Sequence, residues 1–164
     1  MFGALDAFVG ECYDVVHDQG LENPEGERIA QVGVPTLVLP DDVNWQAVQS
    51  DLMYRILSLP NTIQSANKII DAVADEVATF PDFEDYFIER TLRYGEIGLQ
   101  ASKLAADLRK AHQIPTEQWS AKGALTLAVE QVKADRQEAG NILSWDETEK
   151  PIQKVQIAKK AKEG

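Results

Sequence analysis

The sequence predicts an all-α protein, in which a central antiparallel helical hairpin carries flanking helices and extended N- and C-terminal arms. Apolar residues recur at steps of three and four along most of the chain, and one proline separates the two longest patterns of this kind. The only strand-like apolar run, residues 34–39, contains Pro35 and is followed by Pro40. Proline removes a ladder donor, so this run predicts an extended arm rather than a central strand.

Three segments follow from these patterns within one expected packed domain: residues 1–42, 43–113 and 114–164. The first is an amphipathic helix followed by the extended arm. Its helix has one apolar face, made of Phe2, Leu5, Val9, Cys12 and Val16. Such a face requires a partner surface.

The middle segment is the predicted hairpin core. Asn44 or Asp42 can cap a helix from near Trp45 to Pro60, and Pro60 suits the first turn of the next helix. That next helix has a near-heptad stripe, made of Ile63, Asn67, Ile70, Val73, Val77 and Phe80. Pro81 disfavours helical dihedrals at Phe80, and we therefore expect a corner there.

After the corner, about 30 residues form one helix of about 45 Å at 1.5 Å per residue. The acidic residues Asp82, Glu84 and Asp85 lie at its start, where the helix dipole favours anions. Arg109, Lys110 and His112 lie at its end. Two long helices joined by so short a turn are expected to pack antiparallel.

This long helix has more apolar surface than one partner covers. One stripe comprises Phe87, Tyr94, Ala101, Leu104, Leu108 and Ala111, and a second comprises Ile88, Leu92, Gly95, Leu99 and Ala106. The second stripe needs either a further helix of the same chain or another subunit. We predict an oligomer interface at Ile88, Leu92 and Leu99.

The last segment begins with a predicted helix from Thr116 to Ala139, with Leu125, Val129 and Val132 on its apolar side. A basic tail follows. Residues 150–164 contain five lysines and one glutamate, a net charge of +4, whereas residues 1–149 carry -15 of the total of -11. The body therefore repels nucleic acid.

The tail is either a solvated, solubilising end or a contact for DNA phosphates or an acidic partner. The predicted contact residues are Lys150, Lys154, Lys159, Lys160 and Lys162. A few lysines give salt-sensitive binding without base readout.

Cellular location is predicted from what the sequence contains at its start and along its length. The start lacks the positive charge of a signal peptide, and no apolar run approaches the ~20 residues that span a bilayer. Cys12 is the only cysteine, which excludes an internal disulfide. We expect a soluble cytoplasmic protein with no membrane partner.

Catalytic motifs are weak. Asp82, Glu84, Asp85 and Glu89 could be carboxylate metal ligands, but neither histidine completes a Glu-x-x-His pair. The sequence has no nucleophile elbow, phosphate-binding loop or dinucleotide fingerprint, and Cys12 lies on an apolar stripe. We expect no enzyme activity and no cofactor.

The middle of the chain resembles the small terminase subunit of contractile-tailed, T-even-like bacteriophages. The resemblance covers roughly residues 51–124 and rests on "ANKIIDAVADEVATFPDFEDYF", "SKLAADLRK" and "IPTEQWSAKGA". It implies a hairpin that oligomerises into a ring, contacts viral double-stranded DNA and regulates the ATPase and nuclease of the large terminase subunit.

Relatives often have a basic His-Pro-Arg-like turn where this chain reads "FPDFED". The acidic turn argues against DNA contact at the corner, and the resemblance implies no catalytic residue. The alternative reading from the residues alone is an acidic helical-bundle interaction or structural protein.

Overall fold

Helix α3 (Glu84–Ala111) is the element around which the other helices pack in the computed structural model, which describes residues 1–115 and 121–138. The remaining elements are α1 (Phe2–Val16), β1 (Leu21–Glu22), β2 (Arg28–Ile29), a 3-10 turn (Trp45–Ala47), α2 (Ser50–Glu76) and α4 (Ala121–Glu138). Helices α1, α2 and α4 all contact α3. The only sheet in the described part has two strands of two residues each. The predicted all-α class is confirmed.

Helix α1 buries the face that its spacing predicts. Leu5, Val9, Cys12 and Val16 are buried, and the structure adds Phe8 and Val15 to that face. The Asp6 carboxylate pairs with the Arg109 guanidinium near the end of α3. Helix α1 therefore belongs to the same hydrophobic core as α2 and α3.

The arm begins with a small antiparallel hairpin, in which Leu21 pairs with Ile29 and Glu22 with Arg28. The Asn23 side-chain oxygen accepts hydrogen bonds from the N–H groups of Glu25 and Glu27 and closes the turn. Residues 34–39 belong to no strand. The hairpin touches the helical corner, because the Arg28 N–H donates to the Pro81 carbonyl at 3.0 Å.

Helix α2 continues through Pro60, so the predicted helix boundary at this residue is wrong. A proline inside a helix costs about 3 kcal/mol through a lost hydrogen bond and a clash with the preceding turn. Pro60 lies on the exposed side, while Ile56, Leu59 and Ile63 on the other side are 0%, 0% and 8% exposed. Burial of apolar side chains on both sides of the proline offsets that cost.

Helices α2 and α3 run antiparallel, joined by residues 77–83. The Tyr94 hydroxyl donates to the Asn67 side-chain oxygen at 2.5 Å, and Arg55 pairs with Asp107 at 3.4 Å. Glu84 and Asp85 lie in the first turn of α3, as the sequence predicts, and Arg109 and Lys110 lie in the last.

Helix α4 crosses α3 where α3 carries two glycines. A Cβ at Gly95 would lie 2.4 Å from Cγ2 of Val129, and one at Gly98 would lie 2.9 Å from Cβ of Cys12 and 3.0 Å from Cδ1 of Leu125. Helices α1 and α4 thus approach α3 more closely than any larger residue would allow. The predicted start of this helix, residues 116–120, lies outside the described residues.

Candidate functional site

The predicted oligomer residues differ in what the chain itself covers. Leu92 is 4% exposed, so a second subunit could reach it only after the core opened. Ile88 and Leu99 are half-buried and keep part of their surface. The close approach of Val16 and Val129 to Gly95 shows that α1 and α4 cover part of the second stripe within the chain.

Beyond Leu99, the same side of α3 is open to solvent. Leu99, Lys103, Ala106 and Lys110 follow each other at steps of four, three and four, and the last three are exposed. We call these four residues the α3 lysine face. It combines apolar and positively charged surface on a rigid helix.

Helix α2 presents a second exposed surface near its start, where the Asp51 carboxylate pairs with Arg55 at 3.6 Å. Tyr54 is 73% exposed and Leu57 is 46% exposed, and Asp51 lies one turn before Tyr54. We call Asp51, Tyr54 and Leu57 the α2 outer patch. Large exposed apolar side chains next to each other on one helix are typical of interaction surfaces rather than of solvated ones.

A buried ion pair holds the arm against α3. The Arg90 guanidinium lies 2.7 Å from the Asp18 carboxylate and also donates to the carbonyls of Val32 and Gly33. Asp18 in turn accepts from the N–H groups of Gln31 and Val32, each at 2.9 Å. Arg90, in the second turn of α3, therefore holds the start of the arm both through Asp18 and through the arm's own carbonyls.

These contacts set the protonation of Asp18. Burial acts to raise the pKa of this carboxyl, but the hydrogen bonds from Val32, Arg90 and two further N–H groups outweigh it, and the pKa is lowered. Binding of the arm therefore favours the charged carboxylate.

A second buried charge cluster joins α4 to α3. Glu89 is 1% exposed and accepts from Arg93, whose Nε lies 2.6 Å away, and from Arg136 of α4. Burial lowers the pKa of Arg93, and the charge of Glu89 opposes that shift. Lys133 adds an exposed pair with Glu96 at 2.7 Å. The cluster fixes the position of α4 along α3 and leaves no carboxylate free for proton transfer.

The acidic corner does not form a metal site. Asp82, Glu84 and Asp85 are exposed, and Glu89 points into its own pairs with Arg93 and Arg136. Among residues 1–115 and 121–138, no three His, Cys, Asp or Glu side chains are grouped so that they could bind a metal.

Two further groups were candidates for chemistry. Burial raises the pKa of the Cys12 thiol, and nearby Glu11 adds to the shift, so this thiol stays protonated. Burial likewise raises the pKa of Tyr94 to about 12, and its hydroxyl is used in the bond to Asn67. Neither group is an activated nucleophile.

The predicted tail contacts lie outside the described residues, namely Lys150, Lys154, Lys159, Lys160 and Lys162. Within the described part, no helix has both the length and the apolar character required to cross a bilayer.

Comparisons of the chain with models of protein families, with curated proteins and with solved structures give no match.

Proposed function

We propose that this protein is a viral DNA-packaging adaptor, which assembles into a ring, contacts double-stranded DNA and regulates a large terminase ATPase and nuclease without being an enzyme. The proposal starts from the resemblance of residues 51–124 to small terminase subunits. The antiparallel arrangement of α2 and α3 supports it, since that pairing is the hairpin which the resemblance implies.

One observation carries the assembly step: a single chain has two different exposed surfaces that combine apolar and charged side chains. The α3 lysine face offers Leu99 with two lysines, and the α2 outer patch offers two apolar side chains with Asp51. Contact between different surfaces of neighbouring copies is heterologous, and it produces a ring when the rotation between copies closes. In this arrangement Leu99 lies in the contact, whereas Ile88 lies about three turns away on the same helix and Leu92 is buried within the chain.

Light scattering with two complementary variants tests this assembly. Leu99→Glu damages only the α3 lysine face, and Leu57→Glu damages only the α2 outer patch, because a buried unpaired charge is costly in a contact. Each variant alone is expected to remain at the monomer mass of 18.2 kDa. An equimolar mixture retains one intact contact per pair and should reach about 36 kDa, twice the monomer mass.

Leu127→Glu is the matched control, since Leu127 is 69% exposed on α4 and belongs to neither surface. It should assemble as the unchanged protein does. If the unchanged protein were monomeric at micromolar concentration, that result would contradict the ring. A mixture that stays monomeric would contradict the pairing of these two surfaces.

DNA contact is assigned to the lysine tail, because the rest of the chain has a net charge of -15. Replacement of the five tail lysines by glutamine should reduce affinity for duplex DNA and flatten its dependence on salt, since each lost phosphate contact reduces the slope by about 0.9. The mass of the assembly should not change. Equal binding by the variant would place the DNA contact elsewhere.

Regulation of a motor is tested by a rate. The ATPase activity of the large terminase encoded in the same genome is measured with the unchanged protein and with the two assembly variants. An ATPase rate that changes only when the assembled protein is added supports the adaptor function. An ATPase rate that is the same with and without the protein contradicts it.

The alternative function is an acidic helical interaction or structural protein that acts without DNA. One observation favours it: three helices of the same chain already enclose α3, so the core is complete without a second copy. A monomer that binds neither DNA nor a motor subunit would support this reading.

A further inference from the structure

Residues 34–39, which we call the arm segment, lie along α1 in an extended conformation. The N–H of Val32 binds Asp18 at 2.9 Å and that of Thr36 binds Glu11 at 2.7 Å. Along the segment burial alternates residue by residue, with Pro35, Leu37 and Leu39 covered and the residues between them exposed, which is the two-residue period of an extended chain.

The inward side of the arm segment packs against the core through Leu37 and Leu39. Its outward side carries Val34 and Val38, which are 60% and 72% exposed. In an extended chain, the N–H and C=O of one residue point to the same edge, and successive residues use opposite edges. The bond from Thr36 to Glu11 therefore assigns the edge of Val34, Thr36 and Val38 to α1.

The opposite edge belongs to Leu37 and Leu39. In the part of the chain that the structure describes, no hydrogen bond reaches the backbone of residues 37–39. Pro40 uses the α1 edge, whereas Pro35 uses the opposite edge and supplies no donor there, so the donors of that edge are the N–H groups of Leu37 and Leu39. This edge is a row of unpaired donors and acceptors beside apolar side chains, a surface to which an extended peptide adds as a strand.

We propose that residues 154–158 of the same chain bind to this edge as an added β-strand. Their sequence, "KVQIA", alternates polar and apolar residues, which is the pattern of a strand with one buried side. Val155 and Ile157 lie on the core side next to Leu37 and Leu39, and Lys154, Gln156 and Ala158 lie on the outward side.

The position of α4 makes this contact reachable. Arg136, near the end of α4, pairs with Glu89, and the adjacent Arg90 holds the carbonyls of Val32 and Gly33 where the arm segment begins. Residues 139–153 separate α4 from the proposed strand. Fifteen extended residues reach about 50 Å, which is more than the length of α3, about 42 Å at 1.5 Å per residue.

Charge favours the same occupant. Asp41 and Asp42 follow the arm segment closely, and Glu11 lies beside its middle. The tail carries Lys154 at one end of the proposed strand and Lys159 at the other. The strand therefore meets opposite charge in either direction of pairing, whereas a second copy of the arm segment would bring its own aspartates.

Paired cysteines in the full chain test the proposal. Val38→Cys is combined in turn with a cysteine at each of residues 154–158, and oxidation is followed by mass at low protein concentration. Val38 occupies a non-bonded position on the proposed edge, where facing Cα atoms lie about 4.5 to 5.5 Å apart and a disulfide fits. Buried Cys12 does not compete.

Disulfides within one chain are expected with cysteine at residue 154, 156 or 158, whose side chains share the outward side with Val38. The variants with cysteine at residue 155 or 157 should form at least about tenfold less of this disulfide, because successive side chains of a strand point to opposite faces. A cysteine pair at Leu127 and Gln156 is the control for random collision, since Leu127 is exposed on α4.

Amide exchange gives an independent reading in the full chain. The Leu37 and Leu39 amides should exchange at least about tenfold more slowly than in Ile157→Pro, which removes a donor from the added strand. The Val38 amide should exchange at the same rate in both proteins. Disulfide-linked dimers would overturn the proposal in favour of the tail of a second copy, and equal cross-linking at all five positions would overturn any strand pairing.

Discussion

The Arg90 guanidinium lies 2.7 Å from the Asp18 carboxylate, and the two side chains are 4% and 2% exposed. This pair joins Asp18, two residues past the end of α1, to the second turn of α3. Because both groups are removed from water, the effect of losing one partner is dominated by the buried charge that remains.

Arg90→Met should lower the free energy of unfolding by about 3 to 5 kcal/mol, the usual cost of breaking a buried pair. The N–H groups of Gln31 and Val32 should then exchange faster, since Asp18 is no longer held in place. Urea unfolding and amide exchange measure the two effects. Asp14→Asn is the control, because Asp14 is exposed on α1, and it should change neither quantity.

The stability of the protein should depend on pH through Asp18. Its pKa is lower in the folded protein than the ordinary value of 3.8, so its contribution is complete above about pH 5 and is lost as the pH falls through the folded pKa. Urea unfolding between pH 2 and pH 7 should therefore show a decline below about pH 4 that is shallower in Asp18→Asn. Identical slopes in both proteins would contradict the assignment.

Gly95→Ala should lower the free energy of unfolding by about 1 to 3 kcal/mol, because the added Cβ would lie 2.4 Å from Cγ2 of Val129 and push α4 away from α3. Gly3→Ala and Gly123→Ala are matched controls, since no atom lies within 4 Å of a Cβ at either position. The midpoint temperature of thermal unfolding should be lower for Gly95→Ala than for the unchanged protein. The two controls should have the same midpoint as the unchanged protein or a higher one. A neutral Gly95→Ala would mean that α4 does not pack closely on α3.

The Cys12 thiol should react with a thiol reagent at least about a hundredfold more slowly than an exposed cysteine, because reaction requires α1 to separate from the core. Ala7→Cys provides the comparison, since Ala7 is exposed on the same helix. Equal rates at the two positions would show that α1 leaves α3 readily in solution.

The elements that sequence reasoning predicted are those whose signal is local. The apolar spacing of α1 and the charged ends of α3 are each contained within one helix. Pro60 was misjudged because its local preference for a helix start is overruled by packing of Ile56 and Ile63 against the rest of the core.

Long-range charge pairs were not predictable in the same way. Glu89 and Arg93 stand four residues apart, a spacing common on solvated helices, and only Arg136 of α4 shows that the pair is buried. Asp18 and Arg90 are separated by 72 residues, and no periodicity connects them. The unpaired edge at Leu37 and Leu39 has no alternating signal in the sequence, since Leu37, Val38 and Leu39 are all apolar.

The contact between Asp6 and Arg109 joins residues 103 positions apart, at one end of the α1–α3 packing. A ribosome that adds about 5 to 20 residues per second needs about 5 to 20 seconds to synthesise that stretch. During this time the apolar face of α1 has been made but its partner helix has not. The nascent chain must therefore keep its first helix from aggregating until nearly two thirds of the protein has been translated.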